Sequence, residues 1–441
     1  MASAADFQGS TRFRLLGALL ILVVCDGSCS LLLPQLSFLK YAFFLAILAV
    51  AAATFLINLS LTTYPLYPLG FLVLSLVSMV TLGIGQGEGE RISYSSALFP
   101  MMLVGLVAFI PEDQSRLDFG RTLRFFEKFS LIFVLMHVAA QVVFLFWKFT
   151  WEDWFTMTIH ENTFFAIFAL CLSALQRRWR VFCVLSGLIV LSLLLRPSSS
   201  FMAGLTIGLC IAFGFVLQRR ALTMAVGNLL LLVLVLFPVI FVTMPDFTDL
   251  IYGIEPMVKE DLLGSTSNNP FRMVVLKLAR EAILSTPWAI GQGFVGTTNV
   301  NVGLVIDGWT GGEDPGVFPA TGGQAPVHSD FLIMLWQGGA LGYGIFALSL
   351  LGAIRHLGRS LAIAEAAGAW AAVTLLQSIY ILILVFSIFI SFNPVLQKYT
   401  FSYLFWFPLL ILALACREIR FWGEERVNRG SAVAIRMHDH E

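Results

Sequence analysis

Long apolar runs separated by short polar stretches make up most of this 441-residue chain. A transmembrane helix needs about 20 consecutive, mostly apolar residues to cross the hydrocarbon core. Runs that approach this length lie at 14–33, 39–59, 66–84, 94–111, 127–148, 163–176, 181–196, 201–218, 221–243, 328–352, 367–391 and 399–415. The sixth and seventh runs are short, so the pattern predicts ten to twelve membrane-spanning helices.

The composition explains why these runs must face lipid. Hydrophobic residues make up 58% of the chain and charged residues only 12%, whereas an average soluble domain has about 25% charged residues. A soluble chain of this length could not hide so much apolar surface. We therefore predict an all-α polytopic membrane protein with about 12 transmembrane helices, whose partner is the lipid bilayer. The net charge of zero gives no reason to expect nucleic-acid binding.

The basic residues indicate how the spans are oriented. With the N-terminus inside, most of the 27 Lys and Arg residues fall in inner segments. These inner clusters are Arg12 and Arg14; Arg116, Arg121, Arg124 and Lys128; Arg177, Arg178 and Arg180; Arg219 and Arg220; Arg355 and Arg359; and Arg417, Arg420, Arg426, Arg429 and Arg436. Cytoplasmic loops carry such an excess of Lys and Arg, so both termini are predicted to be cytoplasmic.

One polar segment is too long to be a simple connection between two spans. It covers residues 245–327 on the outer side, and loops of this size are usually functional. The chain thus divides into nine spans in residues 1–244, the outer loop in residues 245–327, three spans in residues 328–415 and a cytoplasmic tail in residues 416–441.

An amphipathic helix is predicted within this loop, from Asn269 to Pro287. Asn269 can cap such a helix, and Pro287 can end it. Its apolar face would contain Phe271, Val274, Val275, Leu278 and Ala282, and its basic flank Arg272, Lys277 and Arg280. Beyond this helix the chain becomes rich in glycine, which predicts an irregular loop.

Arg196 is the first candidate for chemistry. It ends one apolar run and precedes Pro197 and three serines, which open the next run. A residue before proline is pushed out of the helical conformation, and serines can cap the following helix, whose N-terminus favours anions. An arginine here departs from the positive-inside pattern, which favours an anion site over an interfacial side chain that only snorkels.

Other polar residues fall on the same predicted side of the membrane. They are Arg272 and Arg280 on the loop helix, His328 and Asp330 at the tenth run, and His160 and Asn162 before the sixth run. Each of them alone also fits an ordinary solvated or boundary residue. Together, two arginines beside a helix N-terminus can hold a diphosphate, and a histidine can deprotonate a hydroxyl. This combination predicts glycosyl or phosphoryl transfer from a lipid diphosphate.

Two other kinds of site are not expected. The string Gly291-x-Gly293-x-x-Gly296 follows a helix rather than a strand, so it is not a dinucleotide-binding fingerprint. The outer loops contain no Asp-x-Asp pair and no His/Cys cluster, so we predict neither a metal site nor a cofactor.

Four short motifs resemble the O-antigen ligase and polysaccharide polymerase family of bacterial inner membranes. His328-Ser-Asp-Phe-Leu followed by Trp336-Gln-Gly-Gly-Ala-Leu-Gly342 resembles that family's sequence after its large loop. The stretch from Asn269-Pro-Phe-Arg272 to Pro287-Trp-Ala-Ile-Gly-Gln-Gly293 resembles its arginine-led helix and the glycine turn that follows. Arg196-Pro-Ser-Ser-Ser and His160-Glu-Asn162 lie where the family has two further motifs, with Glu161 in place of a lysine. The resemblance covers roughly residues 155–350.

The resemblance implies about twelve helices and a periplasmic loop domain in the bacterial inner membrane. It implies a metal-independent, inverting glycosyltransferase that takes its glycan from undecaprenyl diphosphate and passes it to a glycan or glycolipid acceptor. The implied catalytic residues are His328, Arg196 and Arg272, and the implied substrate-binding residues are His160, Asn162, Arg280 and Asp330. Other membrane proteins of polysaccharide assembly would be its partners.

Two alternatives stay open beside a polymerase of exopolysaccharide or O-antigen. A flippase for lipid-linked oligosaccharides would need ionisable residues deep within its spans, and Asp26 is the only clear one. An O-antigen ligase would bind the phosphorylated lipid A-core. The segment from Gln292 to Val327 contains no Lys or Arg but includes Asp307, Glu313 and Asp314, which weakly favours a neutral glycan acceptor and hence a polymerase.

Overall fold

The computed structural model of the chain describes residues 118–147, 160–195, 199–244, 269–293, 298–302, 324–327, 329–392, 405, 408–409 and 411–423. Its helices are α1 (Phe119–Trp147), α2 (His160–Leu175), α3 (Trp179–Leu195), α4 (Ser199–Val216), α5 (Arg220–Thr243), α6 (Asn269–Ser285), α7 (Asp330–Ile354), α8 (Leu357–Ala366), α9 (Trp370–Phe392) and α10 (411–423). Two short strands, β1 (Asn299–Asn301) and β2 (Gln324–Pro326), pair antiparallel. The predicted spans at 14–33, 39–59, 66–84 and 94–111 lie outside the described residues.

The length and apolar character of the described helices identify the chain as an α-helical membrane protein. Among them, three segments are long and apolar enough to cross a membrane, namely Arg220–Thr243, Asp330–Ala366 and Trp370–Ser391. Shorter apolar stretches lie in α2, α3 and α4. At about 1.5 Å per residue these shorter helices fall somewhat below the 30 Å of a typical hydrocarbon core.

Helix boundaries differ from the apolar runs where the helix ends are polar. Helix α1 begins at Phe119, eight residues before the apolar run predicted from 127. Its first turns carry Arg121 and Arg124, and these charged residues hid the start of the helix in the apolar pattern. Helix α10 extends to 423, past residue 416, where the tail was predicted to begin. Helix α8 was not predicted. It buries Leu357, Leu361 and Ala364 on one face. The apolar pattern indicates only an inner loop for this segment, between two predicted spans.

Small residues allow α4 to lie close to α9 and α2. A Cβ atom added to Gly204 would lie 3.2 Å from a methyl group of Val385, and one added to Gly208 would lie 3.2 Å from Sγ of Cys171. Ala212 continues this stripe and is fully buried. Helices in lipid gain little from hydrophobic burial against one another, so close packing at small residues is a main source of their association.

Buried polar contacts hold α5 against its neighbours. The Tyr343 hydroxyl of α7 donates a 2.5 Å hydrogen bond to the Val235 carbonyl. Pro238 lies in the following turn of α5 and lacks the N–H that would bond the Leu234 carbonyl, next to Val235. On α9, Tyr380 donates to Asn228 Oδ1 at 2.8 Å. These contacts fix α5, α7 and α9 at defined levels along the bundle.

The two ends of α5 mark the two ends of the helix bundle. At its start, Arg220 binds Glu365 at 2.6 Å and the Gly358 carbonyl at 2.7 Å, both on α8. We call this the Arg220 end and the opposite one the Met244 end. Short turns at 176–178 and 217–219 make successive helices antiparallel. Consequently α2 and α4 begin at the Met244 end, and α3 and α5 finish there. The contacts of α8 with Arg220, and of Tyr343 and Tyr380 with α5, show that α7 runs toward the Arg220 end and α9 away from it, so α7 begins and α9 finishes at the Met244 end.

The described basic residues are unevenly divided between these ends. The Arg220 end includes the turns that carry Arg177, Arg178, Arg219 and Arg355, and helix α8, which carries Arg359. There Arg178 forms an ion pair with Glu127 of α1, and Phe119 packs edge-on against Trp422 of α10 at 5.2 Å. At the Met244 end, the described basic residues belong to α6. This distribution is the one expected if the Arg220 end faces the cytoplasm.

Candidate functional site

The amphipathic helix predicted between Asn269 and Pro287 is confirmed as α6, Asn269–Ser285. Its buried face is centred on Val275, Ala279 and Ile283, which are at most 2% exposed. Leu278 and Ala282, which were expected on this face, lie at its half-buried margin. The side chains of Phe271 and Val274, which were also expected there, lie outside the described ones. Helix α6 packs against α5, α7 and β1 rather than on a single surface.

Arg280 attaches α6 to the end of α5. Its Nε atom donates to the Val242 carbonyl at 3.2 Å, and an Nη atom donates to the Met244 carbonyl at 3.1 Å. The last carbonyls of a helix have no partner within the helix and carry its negative dipole end, so a guanidinium there is a favourable cap. The structure thus gives Arg280 a structural role in addition to the substrate contact predicted for it.

Replacing Arg280 by alanine should lower the free energy of unfolding by about 1–2 kcal/mol, because two charge-assisted hydrogen bonds are lost. Arg280→Lys should recover part of this loss, since lysine can still donate to a carbonyl. Thermal unfolding of the purified protein in detergent measures both effects. Lys128→Ala, at an exposed position of α1, is the control. A variant Arg280→Ala that melts like the wild type but has lost activity would instead identify Arg280 as a substrate ligand.

Helix α7 is broken at Gly339, and a turn from the polar segment 245–327 fills the break. Gly339 has φ 59° and ψ −164°, outside the helical region. The turn after α6 (Pro287–Gly293) runs beside it and exchanges four main-chain hydrogen bonds with α7. They are Gln292 N–H to Trp336 O (2.9 Å), Gly293 N–H to Gln337 O (2.9 Å), Ala340 N–H to Trp288 O (2.8 Å) and Leu341 N–H to Ala289 O (3.1 Å). We call this arrangement the glycine lock.

Two glycines permit this close approach of main chains. A Cβ atom on Gly291 would lie 2.6 Å from the Gly339 nitrogen, and a Cβ atom on Gly339 would lie 2.6 Å from the Ile290 nitrogen. Both residues also have positive φ, at 65° and 59°. Only glycine meets both requirements without strain. The Pro-x-x-Gly-x-Gly and Gly-Gly strings of the sequence therefore describe one paired structure.

The remaining predicted site residues are distributed around the Met244 end. The structure describes the backbone at His160 and Asn162, in the first turn of α2, and at Arg272, in the first turn of α6. Arg196 and His328 lie outside the described residues. Their described neighbours, Leu195 at the end of α3 and Ser329 before α7, both belong to the Met244 end. All these segments therefore meet at one end of the bundle.

Asp330 is the first residue of α7 and is completely buried. Ser329 caps the helix, with its Oγ accepting from the Leu332 N–H at 3.4 Å. A carboxylate in the first turn is favoured by the positive end of the helix dipole. From this position Asp330 can orient neighbouring protein groups, including a residue just before the helix.

Stacked and edge-on rings connect the starts of α2 and α7. Phe164, four residues after His160, lies 4.6 Å from Phe386 of α9. Phe386 lies 5.3 Å from Phe405, and Phe405 lies 6.1 Å from Phe346 of α7. Phe331, next to Asp330, completes the series at 5.7 Å from Phe346. These packed rings form an apolar layer beneath the polar residues at the Met244 end.

Sequence reasoning missed several polar groups within this half of the bundle. Gln337 of α7 and Ser387 of α9 are completely buried, and Trp336 is 7% exposed. Within the described part of the chain, neither the Trp336 indole N–H nor the Ser387 hydroxyl has a hydrogen-bond partner. A buried polar group without a partner costs free energy, so such groups are often kept for function. The sequence did offer one signal for these buried polar groups, because Gln337 lies within an apolar run.

No protein-family model matches the chain, and no curated protein matches it. The class that fold and sequence define is an α-helical membrane protein. Its described candidate residues lie at one end of its helices, around a discontinuous span.

Proposed function

We propose that this protein is a glycosyltransferase of the bacterial inner membrane with its active site on the periplasmic side. In this proposal about twelve helices span the membrane, the Met244 end faces the periplasm, and a loop domain covers the site. The protein takes a glycan from undecaprenyl diphosphate and transfers it to an acceptor hydroxyl. It acts as a polymerase of exopolysaccharide or O-antigen, alongside other membrane proteins of polysaccharide assembly.

The glycine lock is the observation that supports this proposal most directly. Two of the motifs that carry the family resemblance are hydrogen-bonded to each other through their main chains, at residues more than forty positions apart in the chain. The paired segments connect the helix that begins before Arg272 with the helix that begins after His328. Motifs matched only by chance would have no reason to pair in this way.

The proposed reaction is an inverting displacement at the anomeric carbon. His328 takes the proton of the acceptor hydroxyl, and the resulting oxygen nucleophile forms a bond to the anomeric carbon from the face opposite the leaving group. The bond from that carbon to the diphosphate oxygen breaks, so undecaprenyl diphosphate leaves with one more negative charge. Arg196 and Arg272 stabilise that charge as it develops. Four further residues hold the substrates, or the side chains that contact the substrates, in place: His160, Asn162, Arg280 and Asp330.

The test is a transfer assay on the full-length protein in vesicles. Lipid-diphosphate-linked oligosaccharide with a labelled sugar is supplied, and the labelled product is analysed for new glycosidic bonds and released undecaprenyl diphosphate. Products longer by whole repeat units support a polymerase, and label appearing only on lipid A-core indicates a ligase. Unchanged oligosaccharide that crosses the bilayer indicates a flippase and refutes transfer.

Because the arginines replace a metal, EDTA should leave the transfer rate unchanged. Loss of activity in EDTA that magnesium restores would contradict the mechanism.

Arg196→Lys and Arg272→Lys should each reduce the transfer rate by on the order of 100-fold. Lysine retains the charge but cannot grip two phosphate oxygens with a planar fork, and one such lost contact costs about 2–4 kcal/mol in the transition state. Arg121→Lys at the opposite end of the bundle, where Arg121 pairs with Asp118, is the matched control. Equal rates for all three variants would show that a diffuse positive field is sufficient.

A further inference from the structure

The turn Pro287–Gly293 presents apolar side chains outward, away from the helix that it pairs with. Trp288 is 43% exposed and Ile290 is 47% exposed. Two residues near the turn are also exposed and apolar, namely Leu284 at the end of α6 (52%) and Leu341 of α7 (54%), whose N–H donates to the Ala289 carbonyl. We call these four residues the Trp288 patch. In a water-exposed periplasmic loop such a patch would be unfavourable, because large apolar side chains would be hydrated.

The position of the turn along the bundle can be measured against α5. The hydrogen bond from Tyr343 to Val235 sets α7 and α5 at a common level. Val235 lies eight residues from the end of α5, or about 12 Å at 1.5 Å per residue. Ala340, which binds the turn, lies three residues before Tyr343, or about 5 Å nearer the Met244 end. The turn therefore lies about 7 Å inside the end of a membrane-spanning helix.

The surface of α5 at this level has the character of a lipid contact. Leu236, Phe237 and Ile240 of α5 are 42–44% exposed and apolar. They lie within the segment that is long and apolar enough to cross the membrane. Exposed protein at the same level along the bundle would meet the same solvent, which is the outer part of the hydrocarbon core.

Much of the main chain of the turn is hydrogen-bonded within the protein, as immersion in lipid requires. Irregular backbone is tolerated at membrane depth only where its polar groups are bonded within the protein. Trp288 and Ala289 use their carbonyls, and Gln292 and Gly293 use their N–H groups, in the glycine lock. The Gly291 N–H donates to the Pro287 carbonyl at 2.7 Å. Seven main-chain groups of the turn thus bond within the protein, namely the carbonyls of residues 287–289 and the N–H groups of residues 290–293. Tryptophan is a residue favoured at the membrane boundary.

We propose that the turn Pro287–Gly293 is a membrane-embedded element whose Trp288 patch contacts phospholipid acyl chains. The turn enters the bilayer from the Met244 side, pairs with α7 at its break and returns to the loop. This assignment places part of the segment 245–327, which the sequence indicates is an outer loop, within the hydrocarbon boundary. It requires only that α5 and α7 cross the membrane, and it holds for any reaction at the site.

The first test uses the unmodified full-length protein in phosphatidylcholine and phosphatidylglycerol vesicles that contain a phospholipid with a diazirine on its acyl chain. After irradiation, mass spectrometry locates lipid adducts. We expect adducts at Trp288–Ile290 as well as at Leu348, a 49% exposed residue farther along α7. The exposed strand residue Asn299 should carry none. Adducts at Leu348 without any at Trp288–Ile290 would overturn the proposal.

A second measurement distinguishes lipid from water and from a protein cover. Spin labels are attached at Trp288→Cys, Leu348→Cys and Asn299→Cys in a chain whose exposed Cys183 and Cys210, with Cys25 and Cys29, are replaced by serine. We expect the label at 288 to collide with oxygen and not with a water-soluble nickel chelate, as at 348. Nickel collisions as frequent as at 299 would place the turn in water. Loss of both kinds of collision would mean that protein covers the patch, and either result refutes the assignment.

Discussion

Replacing His328 by alanine is expected to reduce glycan transfer by about 100- to 10,000-fold, the usual contribution of a general base. The acceptor hydroxyl is a poor nucleophile until it begins to lose its proton, and alanine cannot accept it. The initial rate in the vesicle assay measures this loss. His356→Ala is the matched control, because His356 precedes α8 at the opposite end of the bundle and makes no capping hydrogen bond through its side chain.

The dependence of the rate on pH separates a catalytic histidine from a structural one. In the wild type the rate should rise with pH through the neutral range, because only the neutral imidazole can accept a proton. This rise should be absent from the residual rate of His328→Ala, and added imidazole should restore part of the activity. A variant that inserts normally and transfers at a near wild-type rate would remove His328 from the mechanism.

Gly339→Ala is expected to destabilise the protein by about 2–5 kcal/mol, combining backbone strain with overpacking. The methyl group would need a conformation that is essentially restricted to glycine, and it would collide with the main chain of Ala289 and Ile290. The turn must then leave the break in α7, and four hydrogen bonds are lost. We expect a lower melting temperature and loss of transfer, because α6 and α7 no longer hold their segments together.

Gly344→Ala provides a control on the same helix. A Cβ atom at Gly344 would meet no described atom within 4 Å, and its backbone is helical. This substitution should be neutral or slightly stabilising, since alanine favours the helix by up to about 1 kcal/mol over glycine. Hydrogen exchange at the Gln292 and Gly293 amides reports the lock directly. Equal stability and equal exchange in the two variants would mean that the turn is not docked on α7.

The buried face of α6 shows where helical periodicity stops being informative. The apolar positions of this segment fit more than one face, and the pattern favoured Phe271, Val274 and Val275. The structure confirms that Val275 is buried, leaves Leu278 and Ala282 half-buried, and buries Ala279 and Ile283 as well. Alanine at 279 carries little hydropathy signal, although its small size is what allows the helices to approach. Periodicity thus predicted the helix and only part of its contact surface.

Arg280 and α8 show a second limit. A basic residue on an amphipathic helix is equally compatible with solvent, a substrate and a cap, and only the proximity of the Val242 and Met244 carbonyls shows the cap. Helix α8 is short and amphipathic, so it lacks the long apolar run by which spans are recognised. Both features depend on neighbours that are distant in the chain.

The amino-acid sequence alone determined that this is a helical membrane protein, because hydropathy over about 20 residues is a local property that lipid selects directly. It also predicted α6, since a proline and an apolar period are local signals. Only the tertiary structure decided that Gly291 and Gly339 pair their main chains across a broken span. That pairing depends on missing Cβ atoms and on backbone groups, which every residue shares, so no pattern of side chains encodes it. The same packing brings the ends of α2, α3, α6 and α7 together at the Met244 end.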